Sequence, residues 1–169
     1  MNRNSRDKIC TKQTKENSIM NTTTMSEDRT ATKPVKVLYT AKTHTTGGRE
    51  GGASRTSDGR LDVKFTHLGT PGNGTNPEQL LAAGWSSCFL SAVKIVASQM
   101  KVRLQTDPVI DAEIDLCSGD DGYSLRARLN VSLPGVDREV AQSILDGAHQ
   151  TCPYSKATRG NVDVALNLI

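Results

Sequence analysis

Aromatic residues make up only 4% of this chain, so a core has to be built mainly from Leu, Val, Ile and Ala. Hydrophobic residues total 36%, a low figure partly explained by a polar N-terminal segment. No stretch reads as the run of ~18 apolar residues that spans a membrane. The N-terminus also lacks the apolar region of roughly 7–15 residues that marks a secretory signal. A cytoplasmic location is therefore expected, and a membrane partner is not. In that compartment ordinary thiols stay reduced, so Cys10, Cys88, Cys117 and Cys152 read first as thiols. None forms a CxxC pair, which removes the usual zinc-ribbon and thioredoxin-type motifs.

The net charge of +3 is not a property of the whole chain. Residues 1–34 hold seven Lys/Arg against four acids, whereas residues 35–169 hold fourteen of each sign. A nucleic-acid reader gathers its basic residues on the folded part, so that class is disfavoured. Residues 1–34 are rich in Thr, Asn, Lys and Ser, without apolar periodicity. Such a composition does not repay the entropy of ordering and predicts a disordered extension. Met20 and Met25 offer alternative starts. Residues 35–169 are expected to form one folded domain.

Within 35–169, alternation predicts strands at Lys36–Thr45 and Arg60–Thr66, with the glycine-dense turn Gly47-Gly48-Arg49-Glu50-Gly51-Gly52 between them. A second glycine-rich loop, Gly69 to Gly74, leads to Asn76-Pro77-Glu78-Gln79, a strong helix start. Asn suits the N-cap, Pro the first helical position, Glu the positive end of the dipole and Gln a capping box. The helix runs on to about Met100 and is apolar over most of its circumference, which argues for burial in a core or a subunit interface. Strands near Val109–Cys117 and Tyr123–Leu133 follow, then a helix after Pro134-Gly135 that stops near Thr151. Cys152-Pro153-Tyr154-Ser155 reads as a further helical start, and Val162–Ile169 as a last strand. Without regular βαβ alternation the class is α+β.

A reactive thiol needs its pKa lowered by a cation or a helix N-terminus. Cys88 lies twelve residues past the helix cap, too deep for the dipole to act. Taken alone it reads as a small packing residue, and Cys152 as a helix cap. Arg49 is the candidate cation, with Glu78 able to orient it through a bidentate contact. A solvated loop charge and a dipole-compensating acid are the plainer readings of those two.

Taken together, these segments resemble the organic hydroperoxide resistance family within the OsmC superfamily. The matching stretches are Val37-Leu38-Tyr39-Thr40-Ala41, Thr46-Gly47-Gly48-Arg49-Glu50-Gly51 and Gly74-Thr75-Asn76-Pro77-Glu78-Gln79-Leu80. To these are added Ala82-Ala83-Gly84-Trp85-Ser86-Ser87-Cys88-Phe89, then Ala148-His149, Cys152-Pro153-Tyr154-Ser155 and Ala157-Thr158-Arg159-Gly160-Asn161. They occur in family order across residues 35–169.

The resemblance implies two antiparallel sheets around long central helices in an intertwined homodimer, with active sites at the subunit interface. It implies thiol-dependent reduction of organic hydroperoxides, with Cys88 as the peroxidatic cysteine and Cys152 as the resolving one. Arg49 takes the position of the arginine that activates the thiolate, and Glu78 that of its acid partner. No bound cofactor is implied; the reductant is dihydrolipoamide or a lipoylated protein. Trp85 and Ser87 stand where Tyr and Ala are common, and Lys156 where Asn is common, which touches substrate preference. Cys117 and the N-terminal extension are additions.

Spacing adds a constraint. Glu78 and Cys88 are ten residues apart, so one straight helix separates them by ~15 Å along its axis. Either the helix breaks at Gly84, or Arg49 and Glu78 reach Cys88 from the partner subunit; the second is expected. Two other classes remain. A non-catalytic module would carry a hydrophobic ligand and use its cysteines for packing. A metal site would combine Cys88 and Cys152 with His149, a reading weakened because His44 and His67 fall on surface strands or loops. Arg159 is expected to hold carboxylates or carbonyls near the last strand, and Cys10 and Cys117 to be incidental.

Overall fold

The computed structural model describes residues 35–169; the expected disorder of the first 34 residues lies outside them. The chain divides after Thr40. Residues 35–40, all exposed, form neither helix nor strand.

The rest follows the order β1 (Thr43–Thr46), β2 (Ala53–Thr56), β3 (Asp62–Lys64), α1 (Pro77–Gln99), β4 (Val109–Gly119), β5 (Gly122–Ser132), α2 (Arg138–Thr151), α3 (Pro153–Thr158) and β6 (Asp163–Leu168). β1, β2 and β3 form one antiparallel sheet. The strand expected over Lys36–Thr45 is cut to its end, because only residues from Thr43 onward find a ladder partner among the described residues. β2 was not foreseen: Ala-Ser-Arg-Thr carries no apolar alternation, and only Ser54 of it is buried.

The second sheet has the order β4-β5-β6. β4 and β5 make a long antiparallel hairpin, but β6 joins β5 in parallel. The sheet is therefore mixed, a correction to the expected antiparallel pair of sheets. Its cause is the connection: α2 and α3 carry the chain back across the sheet before β6, and such a crossover returns a strand in the same direction. The α+β class stands.

α1 is unbroken through Gly84. Its start is as expected, Asn76 Oδ1 accepting the Gln79 N–H at 2.8 Å. The reciprocal arm of the capping box is diverted, since Gln79 Oε1 accepts from Thr75 Oγ1. Trp85, Phe89, Ala92, Val93, Val96 and Ala97 form its buried stripe. By length and composition α1 is apolar enough to cross a membrane, contrary to the reading that no stretch approaches a span. Ser86, Ser87 and Ser91 interrupt any continuous run and hide that property from inspection. In this fold the stripe belongs to the core.

α2 is capped by Asp137, whose Oδ1 accepts the N–H groups of Glu139 and Val140, so Val136 lies before the helix and not in it. Both long helices cover the inner face of the β4-β5-β6 sheet, where Ala127, Leu129 and Val131 are fully buried with Ile144 and Leu145. The outer face is polar: Arg128 pairs with both Asp115 and Glu113, and its guanidinium, ahead of that of Arg126, holds the Asp115 carboxyl well below the usual range. Since Leu129 has no exposure, Leu129→Ala is expected to cost about 2–5 kcal/mol, read as a lower urea midpoint at unchanged slope.

Candidate active site

The β1–β2 connection is the first half of the site. Gly47, Gly48 and Gly51 adopt positive φ, and a side chain at Gly52 would collide with the carbonyls of Thr46 and Gly48. Only glycine tolerates both conditions, so the turn is tight and carries Arg49, half-buried, to Glu78. Arg49 Nη2 donates to Glu78 Oε1 at 2.5 Å. Glu78, in the first turn of α1, is 11% exposed, and its Oε2 is buried without a partner. The expected bidentate fork is therefore not made; one carboxylate oxygen carries the pair. The same turn has a brace that the sequence reading missed, Glu50 pairing with His67 Nε2 at 3.1 Å. No periodicity reports such a loop-to-loop contact.

Clefts flank this pair. One, of about 350 Å³, lies between the start of α1 and β4, lined by Glu78, Gln79, Ala82, Ala112, Ile114 and Leu116 among others. The next, of about 330 Å³, is bounded by Arg49, Glu50, His67, Leu68, Leu116 and Tyr123. The second cleft has mostly apolar walls with the Arg49 guanidinium at one side and suits a molecule with a hydrocarbon body and one polar group, whereas Asn76, Glu78 and Gln79 make the first about half polar.

The second half lies further along α1. Cys88 is half-buried, and Cys152, at the cap between α2 and α3, is fully buried. Both are free cysteines, and Cys88 packs against the core cluster that contains Cys152. Burial, then Cys152, push the Cys88 thiol pKa up, and the backbone N–H of Tyr154 opposes them. Arg49 is not among the groups acting on Cys88 within the chain. The structure thus brings the four expected residues together as two pairs, Arg49 with Glu78 and Cys88 with Cys152.

Three contacts around the thiols escaped the sequence reading, although their residues stand in the quoted motifs. Trp85 Nε1–H donates to Ser155 Oγ at 3.3 Å, the Tyr154 N–H faces Cys88, and the Tyr154 hydroxyl packs over Gly84, where a Cβ would meet it at 2.9 Å. Each joins α1 to α3 across the fold, a separation that only the structure reveals.

Of the remaining candidates, Arg159 donates to the His149 carbonyl at 2.9 Å, a carbonyl as expected but on α2 rather than near the last strand. His149 lies against Phe89 with Nδ1 unpartnered, and burial lowers its pKa. Among the described residues, no group of three or more His, Cys, Asp and Glu side chains is arranged to hold a metal ion. Cys117 is on β4 opposite Ser124, and Cys10 lies outside the described residues.

Comparison with known proteins matches the family model described as "OsmC-like protein" to residues 70–167. The chain is 47% identical over 139 residues to the organic hydroperoxide resistance protein of Xanthomonas axonopodis pv. citri, covering 80% of this chain and 97% of that one. It is 41% identical over 136 residues to the organic hydroperoxide resistance protein OhrB of Bacillus subtilis, covering 78% and 98%. The crystal structure of OhrB superposes with a TM-score of 0.74 over 79% of this chain and 100% of the other, at 40% identity. An organic hydroperoxide resistance protein from Legionella pneumophila gives a TM-score of 0.73 at 39% identity, over 79% and 98%.

Proposed function

The chain belongs to the organic hydroperoxide resistance proteins of the OsmC-like family, and from that premise we propose that it is a thiol peroxidase using Cys88 and Cys152. A role in defence against organic hydroperoxides and oxidative stress follows from the family. The observation that carries the finer reading is the nearness of two free cysteines distant in sequence, Cys88 packing against the apolar cluster that contains Cys152.

The chemistry balances on these residues. The Cys88 thiolate attacks the distal peroxide oxygen, the O–O bond breaks, and the departing alkoxide takes a proton to leave as alcohol. Cys88 is now a sulfenic acid. The Cys152 thiol attacks it, forming the S–S bond and releasing water. A dihydrolipoyl dithiol, free or on a carrier protein, then exchanges with the disulfide and leaves as the cyclic lipoyl disulfide. The mainly apolar cleft beside Arg49 favours alkyl and fatty-acid hydroperoxides over hydrogen peroxide, which gains little from apolar burial.

One chain does not supply the activating cation. On balance its own groups raise the Cys88 pKa, and the unbroken α1 keeps Glu78, which holds Arg49, ~15 Å along the axis from Cys88. The break at Gly84 is thereby removed as an alternative. What supports a homodimer, with Arg49 and Glu78 of one subunit serving Cys88 of the other, is the surface left over. Ala83, Ser87 and Ser91 leave one side of α1 exposed beside Ile95, itself 49% exposed, and Val35, Val37, Leu38 and Tyr39 are all exposed. A cytoplasmic setting, where lipoyl dithiols are available, completes the reading.

The test is turnover of tert-butyl and linoleic acid hydroperoxides with dihydrolipoamide. Rapid consumption supports the proposal. Its absence, with Cys88 alkylated like an ordinary thiol, would make the chain a binding module for a hydrophobic ligand. In Cys152→Ser the first oxidation is expected to survive while Cys88 passes on to sulfinic acid, a gain of two oxygen atoms by intact mass.

A further inference from the structure

Cys88 and Cys152 stand on different elements, and the peroxidase chemistry does not itself explain what fixes one against the other. Trp85 lies three residues before Cys88 on α1, and Ser155 three residues after Cys152 on α3. Residues three apart on a helix are neighbours on its surface. Both Trp85 and Ser155 are fully buried, and the indole N–H donates to the serine Oγ at 3.3 Å. Other bonds hold the segment as well, the Cys152 N–H donating to the Ala148 carbonyl at 2.8 Å and Arg159 to the His149 carbonyl at 2.9 Å, but neither joins it to α1. Cys152 makes no side-chain cap bond for α3, α3 is six residues long, and Tyr154, which packs over Gly84, is 39% exposed. Ser155 is a buried polar residue in an otherwise apolar core; burying a hydroxyl costs free energy unless it is hydrogen-bonded, so its retention calls for a use.

We propose that the Trp85–Ser155 hydrogen bond is a positioning clamp that holds the Cys152 thiol beside Cys88, and so sets how fast the disulfide closes. The proposal rests on the peroxidase reading for its consequence, though not for its geometry. Once Cys88 is a sulfenic acid, two reactions compete. In one, the Cys152 thiol displaces the hydroxyl, which leaves as water. In the other, a second hydroperoxide transfers an oxygen atom, leaving as alcohol and giving the sulfinic acid. The first is intramolecular and depends on geometry; a misplacement of about 1 Å can slow such a step ~100-fold. The second does not depend on where Cys152 sits. Loosening the clamp therefore shifts the balance toward over-oxidation. It also moves away Cys152, which raises the Cys88 pKa, and the Tyr154 N–H, which lowers it less.

The experiment uses the full chain with Trp85→Phe, Ser155→Ala and the double variant. The ratio of disulfide to sulfinic acid at Cys88 is read by mass spectrometry after titration with tert-butyl hydroperoxide, beside the pH profile of Cys88 alkylation. Each single variant is expected to raise the sulfinic fraction roughly tenfold at a given peroxide dose and to move the alkylation profile to lower pH, because Cys152 raises the Cys88 pKa more than the Tyr154 N–H lowers it. The double variant should be no worse than the more affected single one, because both delete the same bond. Wild-type ratios and profiles in the variants, with only the melting temperature lowered, would overturn the clamp, as would effects that simply add in the double variant. Closure driven by diamide, which takes the hydrogens of the thiol pair and needs no peroxide, separates the two ideas. Slower diamide closure in the variants upholds the clamp even where wild type fails to consume hydroperoxide, a failure that counts against the peroxidase reading alone.

Discussion

Cys88→Ser is expected to abolish hydroperoxide turnover, lowering it at least about 10³-fold, because a serine hydroxyl is a far weaker nucleophile than a thiolate at neutral pH. Cys88 is half-buried on the flank of α1, so the exchange of sulfur for oxygen leaves the core stripe from Trp85 to Ala97 unaltered. The variant should fold, with the urea midpoint of wild type, and still present Cys152. Residual turnover above a few per cent would move the chemistry to another thiol, with Cys117 the first to examine. Turnover is followed as consumption of tert-butyl hydroperoxide in the presence of dihydrolipoamide.

The second large effect concerns Arg49. Within one chain the guanidinium is held by Glu78 and is not among the groups acting on Cys88, whose pKa burial and Cys152 raise. Arg49→Ala is expected to reduce turnover by roughly 10²–10³-fold, the usual effect of losing one charge-stabilising donor. The pH at which Cys88 is half alkylated should move upward, since removing a nearby cation favours the neutral thiol. Arg49→Lys should restore little, because a flexible ammonium does not reproduce a guanidinium anchored on a buried carboxylate. The subunit arrangement is read by co-refolding the Cys88→Ser and Arg49→Ala chains. If Arg49 serves the partner's thiol, mixed dimers contain one intact site, and random pairing returns about a quarter of wild-type activity. If Arg49 served its own chain, every site would lack a component and no activity would return.

Much of this was legible because local chemistry dictated it. Asn76-Pro77-Glu78-Gln79 announces the start of α1 from backbone requirements alone, and the hairpin of β4 and β5 shows in two alternating runs joined by a short polar turn. The glycines around Arg49 point to a turn because positive φ excludes other residues. What stayed hidden is what depends on distant partners. β2 has no apolar signature, since its residues are placed by pairing with β1 and β3 rather than by burial. The parallel entry of β6 is set by the path of α2 and α3, which no pattern within β6 encodes. Residues 36–42 alternate as a strand does, yet alternation records only a preference for one apolar face and says nothing of which chain covers it.

The site divides in the same way. Arg49, Glu78, Cys88 and Cys152 stand out by residue type and motif, and the helical spacing of Glu78 and Cys88 alone separates the two pairs that the structure shows. The single-oxygen contact of Glu78, the Glu50–His67 brace and the Trp85–Ser155 bond are products of tertiary packing. Trp85 and Ser155 are quiet in the sequence because a tryptophan on an apolar helix face and a serine after a proline each have an ordinary local explanation. Only their mutual burial gives them a joint one.

The most direct measurement is a non-reducing peptide map of the full chain after a single equivalent of tert-butyl hydroperoxide. The account predicts one new species, the Cys88 peptide joined to the Cys152 peptide with loss of a pair of hydrogens, together with an equivalent of tert-butanol. Finding both thiols still open to alkylation, or the oxidation lodged on Cys10 or Cys117, would contradict it.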